Sequence, residues 1–138
     1  MVLIKFLSSS ALIFIYYLSI VACVSHSSPE KINDFTLADY NGKKYSLSDY
    51  KESKAIVIIF IATECPVSND YNSRMEKIYN DYKEKGIAFL GINSNKAESI
   101  ERIKEHAEDK GLTFAILKDE KNIIADQFSA SFTPEVYV

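Results

Sequence analysis

The chain is poor in the residues that staple or punctuate a fold. Its 138 residues include only two cysteines, Cys23 and Cys65, four glycines, three prolines and no tryptophan. Two thiols exclude a small domain held together by a disulfide framework. The formal net charge is −3 and no basic stripe gathers the lysines and arginines, so nothing electrostatic points to nucleic acid. The two histidines, His26 and His106, stand far apart. Neither carries a metal-ligand pattern, and no metal or cofactor is expected. Internal repeats and low-complexity tracts are also missing. What is present is a globular balance, 47% apolar and 25% charged, over a length that suits one domain.

The first residues differ from the rest. Lys5 is followed by an uncharged run from Phe6 to Val24, which reads as the charged start and apolar middle of a secretory signal. Ile20-Val21-Ala22-Cys23 resembles the bacterial lipobox. That resemblance implies cleavage before Cys23 and lipidation of its sulfur, with residues 1–22 as a lipoprotein-type signal peptide. A plain signal cut nearby and an uncleaved anchor are the other readings. Residues 23–31 then form a polar tether carrying His26, and residues 32–138 the folded domain. The expected location is the extracytoplasmic face of a bacterial envelope, with the membrane reached through the N-terminal lipid or anchor.

Beyond the tether, Asp34 to Leu37 alternates polar and apolar and predicts a short strand. Asn41-Gly42 is a hairpin signal, and Lys44 to Leu47 returns from it. Ser48 is placed to cap a single turn through Tyr50 and Lys51. Ala55 to Ile61 is continuously apolar and β-branched, which predicts a buried, central, parallel strand. Val67, Tyr71, Met75, Ile78 and Tyr82 recur at helical spacing and predict one helix over Pro66 to Lys85, stopped by Gly86. Ile87 to Ile92 is a second strand. Ala97 to Lys110 is a second helix with Ile100, Ile103 and Ala107 on its apolar stripe, and His106 on the solvated flank. Thr113 to Leu117, Asn122 to Phe128 and Glu135 to Val138 add a strand, a short helix and a last strand. The order β-α-β-α-β-α-β implies an α/β layer with right-handed crossovers. Each long helix is expected to cover a face of the sheet. The last strand has no closing element, which reads as a C-terminal truncation.

The chemistry concentrates at Cys65. It falls at the N-cap of the main helix, with Pro66 at the first helical position, where no N–H is needed. The free amides of Val67 and Ser68 and the positive end of the helix dipole favour thiolate over thiol. The Ser68 hydroxyl can donate to the sulfur but cannot replace a disulfide partner. Glu64 opposes ionisation if its carboxylate turns toward the sulfur, and not if it faces solvent. The net expectation is a modest lowering of the thiol pKa. Thr133-Pro134, just before the last strand, is expected to be a cis proline facing the thiol. Arg74 and Arg102 are the only arginines and read as surface salt-bridge partners.

Strand, Thr63-x-Cys65-Pro66, long helix and a late Thr133-Pro134 together resemble the thioredoxin-like redoxins of the AhpC/TSA group. Residues 60–66, FIATECP, are similar to the FWATWCP of TlpA/ResA-type thiol-disulfide oxidoreductases, and residues 34–50 to that group's N-terminal hairpin. The resemblance implies a thioredoxin-like α/β fold with an N-terminal β-hairpin extension. It makes Cys65 the attacking thiol and Pro134 the cis-proline, with Thr63, Pro66, Ser68 and Thr133 supporting the site. Two departures stand out. Ser68 occupies the place of the resolving thiol of a CxxC. Ile58 and Ala62 occupy the Pro and Thr places of the peroxiredoxin pattern that ends at the attacking cysteine.

A lone low-pKa thiol has two chemistries: attack on a peroxide, giving a sulfenic acid, or attack on a disulfide, giving a mixed disulfide. Both require an external thiol reductant or a thioredoxin-like protein. The leading expectation is a thiol-dependent oxidoreductase, as peroxidase or in disulfide exchange, resolved from outside. The alternative is a non-enzymatic thioredoxin-like binding module of the envelope.

Overall fold

A computed structural model describes residues 31–138. The signal segment, the Cys23 lipid site and the His26 tether lie outside the described residues. An N-terminal hairpin, β1 (Thr36–Ala38) and β2 (Lys44–Ser46), precedes β3 (Ala55–Phe60), α1 (Pro66–Asp70), α2 (Asn72–Tyr82), β4 (Ile87–Asn93), α3 (Ile100–Lys110), β5 (Ala115–Lys118), α4 (Ile123–Phe128) and β6 (Glu135–Tyr137). The main sheet runs β5-β4-β3-β6. β3, β4 and β5 are parallel, as their unbroken apolar character predicts, and β6 pairs antiparallel with β3.

The two faces of the sheet are filled separately. Ile59, Ile61 and Phe89 face Met75 of α2 and Ile103 and Ala107 of α3. Ile58, Phe60, Leu90 and Ile92 face Phe35, Ile124 and Ala125, so α4 and the segment leading into the hairpin cover the other side. Both long helices therefore share one face rather than dividing the two. The hairpin turn is held by Asp39, whose Oδ1 accepts the N–H groups of Asn41 and Lys43, while Gly42 sits at φ 82°.

Several expected boundaries move for identifiable reasons. The single helix over Pro66 to Lys85 is broken at Tyr71, whose N–H turns back to the Ser68 carbonyl, and it ends in a 3-10 turn over Lys83–Lys85. Its expected buried stripe does not form as a whole: Met75 is buried, but Val67, Tyr71, Ile78 and Tyr82 stay exposed. The second helix starts at Ile100 because Ser99 is its N-cap, accepting the Arg102 N–H, and Asn95 to Ser99 form the turn before it. The single turn after the hairpin begins at Ser46, not Ser48: Asp49 accepts the Ser46 N–H, and the Ser48 N–H goes to Asp34. β5 lies over Ala115–Lys118, two residues after the expected start.

Gly91 lies in the middle of β4, where a Cβ would stand 3.0 Å from a ring carbon of Phe114 and 3.2 Å from Ile116. Phe114 is fully buried and cannot swing aside without opening the core. Gly91→Ala is expected to destabilise the domain by about 1–3 kcal/mol, the usual range for overpacking, as read by denaturant midpoint at unchanged slope.

Candidate functional site

The site forms where β3 ends and α1 begins. Cys65 is the N-cap of α1 with extended backbone, and Pro66 opens the helix. The sulfur lies 3.4 Å from the carbonyl oxygen of Thr133, to which the thiol donates. The Thr133–Pro134 peptide bond is cis. The structure thus brings Cys65, Pro66, Thr133 and Pro134 together, from segments nearly seventy residues apart in the chain.

The thiol pKa is lowered. The Thr133 side chain is the largest cause, followed by the backbone N–H groups of Ser68 and Val67, while partial burial and the charge of Glu98 pull the other way. Thr133 thus serves both protonation states: its carbonyl accepts from the thiol, and its hydroxyl favours the thiolate. Thr133→Val removes the second role and keeps the shape. It is expected to slow alkylation of Cys65 at neutral pH by about threefold, as one lost hydrogen bond to a largely solvated charge would, with the plateau rate at high pH unchanged.

Other supporting residues act differently from expectation. Ser68 is fully buried, and the hydrogen bond recorded for its hydroxyl comes from the Ala62 N–H, so it serves the sulfur through its own backbone N–H. Thr63 is buried, and its Oγ1 makes no well-formed hydrogen bond. The Thr63 hydroxyl does lie near the Glu98 carboxylate and helps to keep it ionised. Its backbone matters more: the carbonyl accepts from Asn69 and the N–H donates to Glu98. Glu64 is exposed and pairs with Arg102 at 3.4 Å. Arg74 makes no salt bridge within the described residues and stacks over the Tyr71 ring instead.

His106 is not a solvated flank residue. Half-buried, it faces the buried Asn72 amide, with Nε2 3.2 Å from Asn72 Nδ2. Burial, followed by the charge of Lys110, lowers its pKa. Asn72 also reaches Asn69, whose N–H donates to the Cys65 carbonyl, so the start of α1 is braced from α3.

The principal group that the sequence reading missed is Glu98. Only 2% exposed, it accepts the N–H groups of Thr63 at 2.8 Å and Glu64 at 3.2 Å. Asn93 and Asn95 donate to the same carboxylate. Burial pushes its pKa up, but the hydrogen bonds from Thr63, Asn93 and Glu64 outweigh this and hold it below the ordinary carboxylate range. The available signal was the Asn93-x-Asn95-x-x-Glu98 spacing just before the Ser99 cap. Among the described residues no cluster of His, Cys, Asp or Glu is arranged to hold a metal ion, and Cys65 is a free thiol.

Comparison with known proteins agrees with this geometry. The chain is 36% identical over 106 residues to the thioredoxin-like protein YneN of Bacillus subtilis, covering 76% of this chain and 61% of that protein. It is 29% identical over 99 residues to the thiol-disulfide oxidoreductase ResA of Halalkalibacterium halodurans, covering 72% of this chain and 54% of that one. The crystal structure of an uncharacterized conserved protein from Geobacillus kaustophilus superposes with a TM-score of 0.71 at 37% identity, over 76% of this chain and 59% of that one. The chain spans little more than half the length of these two curated relatives. The fold is thioredoxin-like α/β with an N-terminal β-hairpin. Residues 29–138 match the model of the AhpC/TSA family, and the chain belongs to that family.

Proposed function

We propose that this protein is a thiol oxidoreductase in which Cys65 is the sole nucleophile and an external thiol completes each cycle. One observation carries the reading: the Cys65 sulfur stands at a helix start against Thr133, with its ionisation favoured by the Thr133 hydroxyl and the Ser68 and Val67 amides. Disulfide exchange is the favoured form, because Ile58 and Ala62 stand where the peroxiredoxin pattern has Pro and Thr, and Ser68 leaves resolution of the mixed disulfide to an external thiol. The thiolate attacks one sulfur of a substrate disulfide. That S–S bond breaks, a Cys65 mixed disulfide forms and the other substrate sulfur leaves as thiolate. An external thiolate attacks the substrate sulfur of the mixed disulfide and releases Cys65. Its new disulfide with the substrate is resolved by a second external thiol. The substrate is reduced to dithiol and two external thiols are oxidised. With a peroxide, the thiolate takes one oxygen, the O–O bond breaks and the other oxygen leaves as hydroxide or alkoxide. One external thiol condenses with the Cys65 sulfenic acid and expels water, and a second resolves the mixed disulfide and regenerates Cys65.

Exposing the full chain in parallel to a peptide disulfide and to hydrogen peroxide tests this, with Cys65 adducts read by mass spectrometry. A peptide mixed disulfide that external thiol releases supports exchange. A dimedone-trappable sulfenic acid alone supports the peroxidase form. No adduct on folded protein rejects both.

Exposed Phe132 (75%) and Val67 (57%), the neighbours of Thr133 and Pro66 in the chain, favour a second reading, a docking module. That module holds a partner protein equally well with Cys65→Ser, whereas covalent capture is lost in that variant. An envelope location, with Cys23 carrying lipid and residues 23–31 as tether to the domain at 32–138, belongs to the same proposal and rests on the sequence. The mass of the mature N-terminal peptide tests it: a lipid adduct on Cys23 supports it, and cleavage elsewhere removes it.

A further inference from the structure

Glu98 has no place in the thiol chemistry above, yet it is the acid most tightly bound to the loop that delivers Cys65. It comes from the turn before α3, thirty-four residues from the nearest backbone group it holds. Its two oxygens divide the work. Oε2 accepts the Thr63 N–H at 2.8 Å and Asn93 Nδ2 at 2.5 Å, and Oε1 accepts the Glu64 N–H at 3.2 Å and Asn95 Nδ2 at 3.0 Å. Lys118, at the end of β5, closes the turn from behind by donating to Asn93 Oδ1 and to the carbonyls of Asn95 and Glu98. The carboxylate thereby ties the residues after β3 to the end of β4, and Lys118 adds the end of β5 through the Asn93 side chain and the turn's backbone carbonyls.

Four donors on one carboxylate favour its charged form, which excludes a general-acid role. Glu98 makes no hydrogen bond to the sulfur either, so it is not a catalytic residue. Its hold is on the two residues immediately before Cys65, whose backbone sets where Cβ and sulfur point. The thiol meets the Thr133 carbonyl at 3.4 Å, an ordinary distance for a sulfur donor, and that contact depends on the placement of the sulfur.

We propose that Glu98 is the positioning residue of the Cys65 thiol: its carboxylate, by holding the Thr63 and Glu64 N–H groups together, keeps the sulfur in register with Thr133. The proposal rests on Cys65 being the reactive thiol, but it concerns placement and not turnover. The effect of Thr133 on the thiol therefore exists only while Glu98 holds the loop.

A double-mutant cycle reads this directly. Cys65 alkylation by iodoacetamide is followed against pH, by peptide-resolved mass spectrometry, in the full chain as wild type, Thr133→Val, Glu98→Gln and the double variant. Gln has one acceptor oxygen and turns an NH2 group toward two of the four donors, so the clamp opens on one side. The expected result is that Thr133→Val slows alkylation at neutral pH by about threefold in wild type and has no effect in the Glu98→Gln background. If Glu98 acts only through its charge, Glu98→Gln speeds alkylation and the Thr133 effect persists; that overturns the proposal. If Glu98 is only structural, thermal stability falls while the Thr133 effect is intact; that overturns it too.

Should Glu98→Gln fail to fold, Glu98→Asp keeps the charge on a side chain one methylene shorter, unable to span both N–H groups, and the same cycle applies. In the wild type, the Thr63 and Glu64 amide resonances are expected to follow the Cys65 titration midpoint, and amides blind to it overturn the proposal without any variant. Alkylation requires no substrate, so a failed redox assay and a failed cycle are told apart.

Discussion

Cys65→Ser leaves the domain folded and brings thiol-dependent turnover down to that of the buffer blank. The serine hydroxyl is not ionised near neutral pH and cannot enter a disulfide, so the first bond of either proposed cycle cannot form. Folding is spared for a local reason. Cys65 is half-buried at the N-cap of α1, and serine is among the residues best suited to that position, because its oxygen accepts free amides of the first turn. Turnover with a peptide disulfide and an external thiol, beside a thermal melt of both proteins, checks this. Retained turnover in a folded variant removes Cys65 from the mechanism.

Glu98→Ala is expected to destabilise the domain by about 3 kcal/mol or more, because the donors it strands, the Thr63 and Glu64 N–H groups and the Asn93 and Asn95 amides, lie in a buried or half-buried site and each unpaired one costs about 1–3 kcal/mol. The same carboxylate gives stability a pH dependence of definite sign. Its folded pKa lies below the unfolded value, so the unfolded state binds the proton more readily. The stabilisation is complete above the ordinary Glu value of about 4.3 and is lost as pH falls below it toward the folded pKa. The carboxylates of Asp34, Glu101, Asp109 and the half-buried Glu135 are shifted in the same direction and add to that slope. Denaturant midpoints taken between pH 7 and pH 3 are expected to fall steeply in wild type and less steeply in Glu98→Ala. Parallel slopes contradict the assignment.

The architecture was legible where one residue type carries the signal. The β-branched run Ala55 to Ile61, the Asn41-Gly42 turn and the Cys65-Pro66 helix start all stand where the sequence placed them. Strands alternating with helices implied the α/β layer, but not the strand order β5-β4-β3-β6 or the antiparallel last strand. What escaped were bonds between side chains and distant backbone. Glu98 looked like the first turn of a helix, yet it caps a loop from another strand end. Asp119, to which the sequence assigned no role, takes the N–H groups of Ile123, Ile124 and Ala125 on its carboxylate and caps α4. The spacing of Val67, Tyr71, Met75, Ile78 and Tyr82 signals a helix, but spacing alone does not say which of these residues find a partner surface, and only Met75 does. On either side of the break at Tyr71, Ser68 accepts the Ala62 N–H and Asn72 reaches His106, contacts that helical spacing does not announce.

The thiol chemistry requires that the native fold favour the Cys65 thiolate. Alkylation of Cys65 against pH, measured in the folded full chain and again in denaturant, compares the thiol with itself. A native midpoint below the denatured one is expected, and a native midpoint equal to or above it would show that the fold does not activate Cys65.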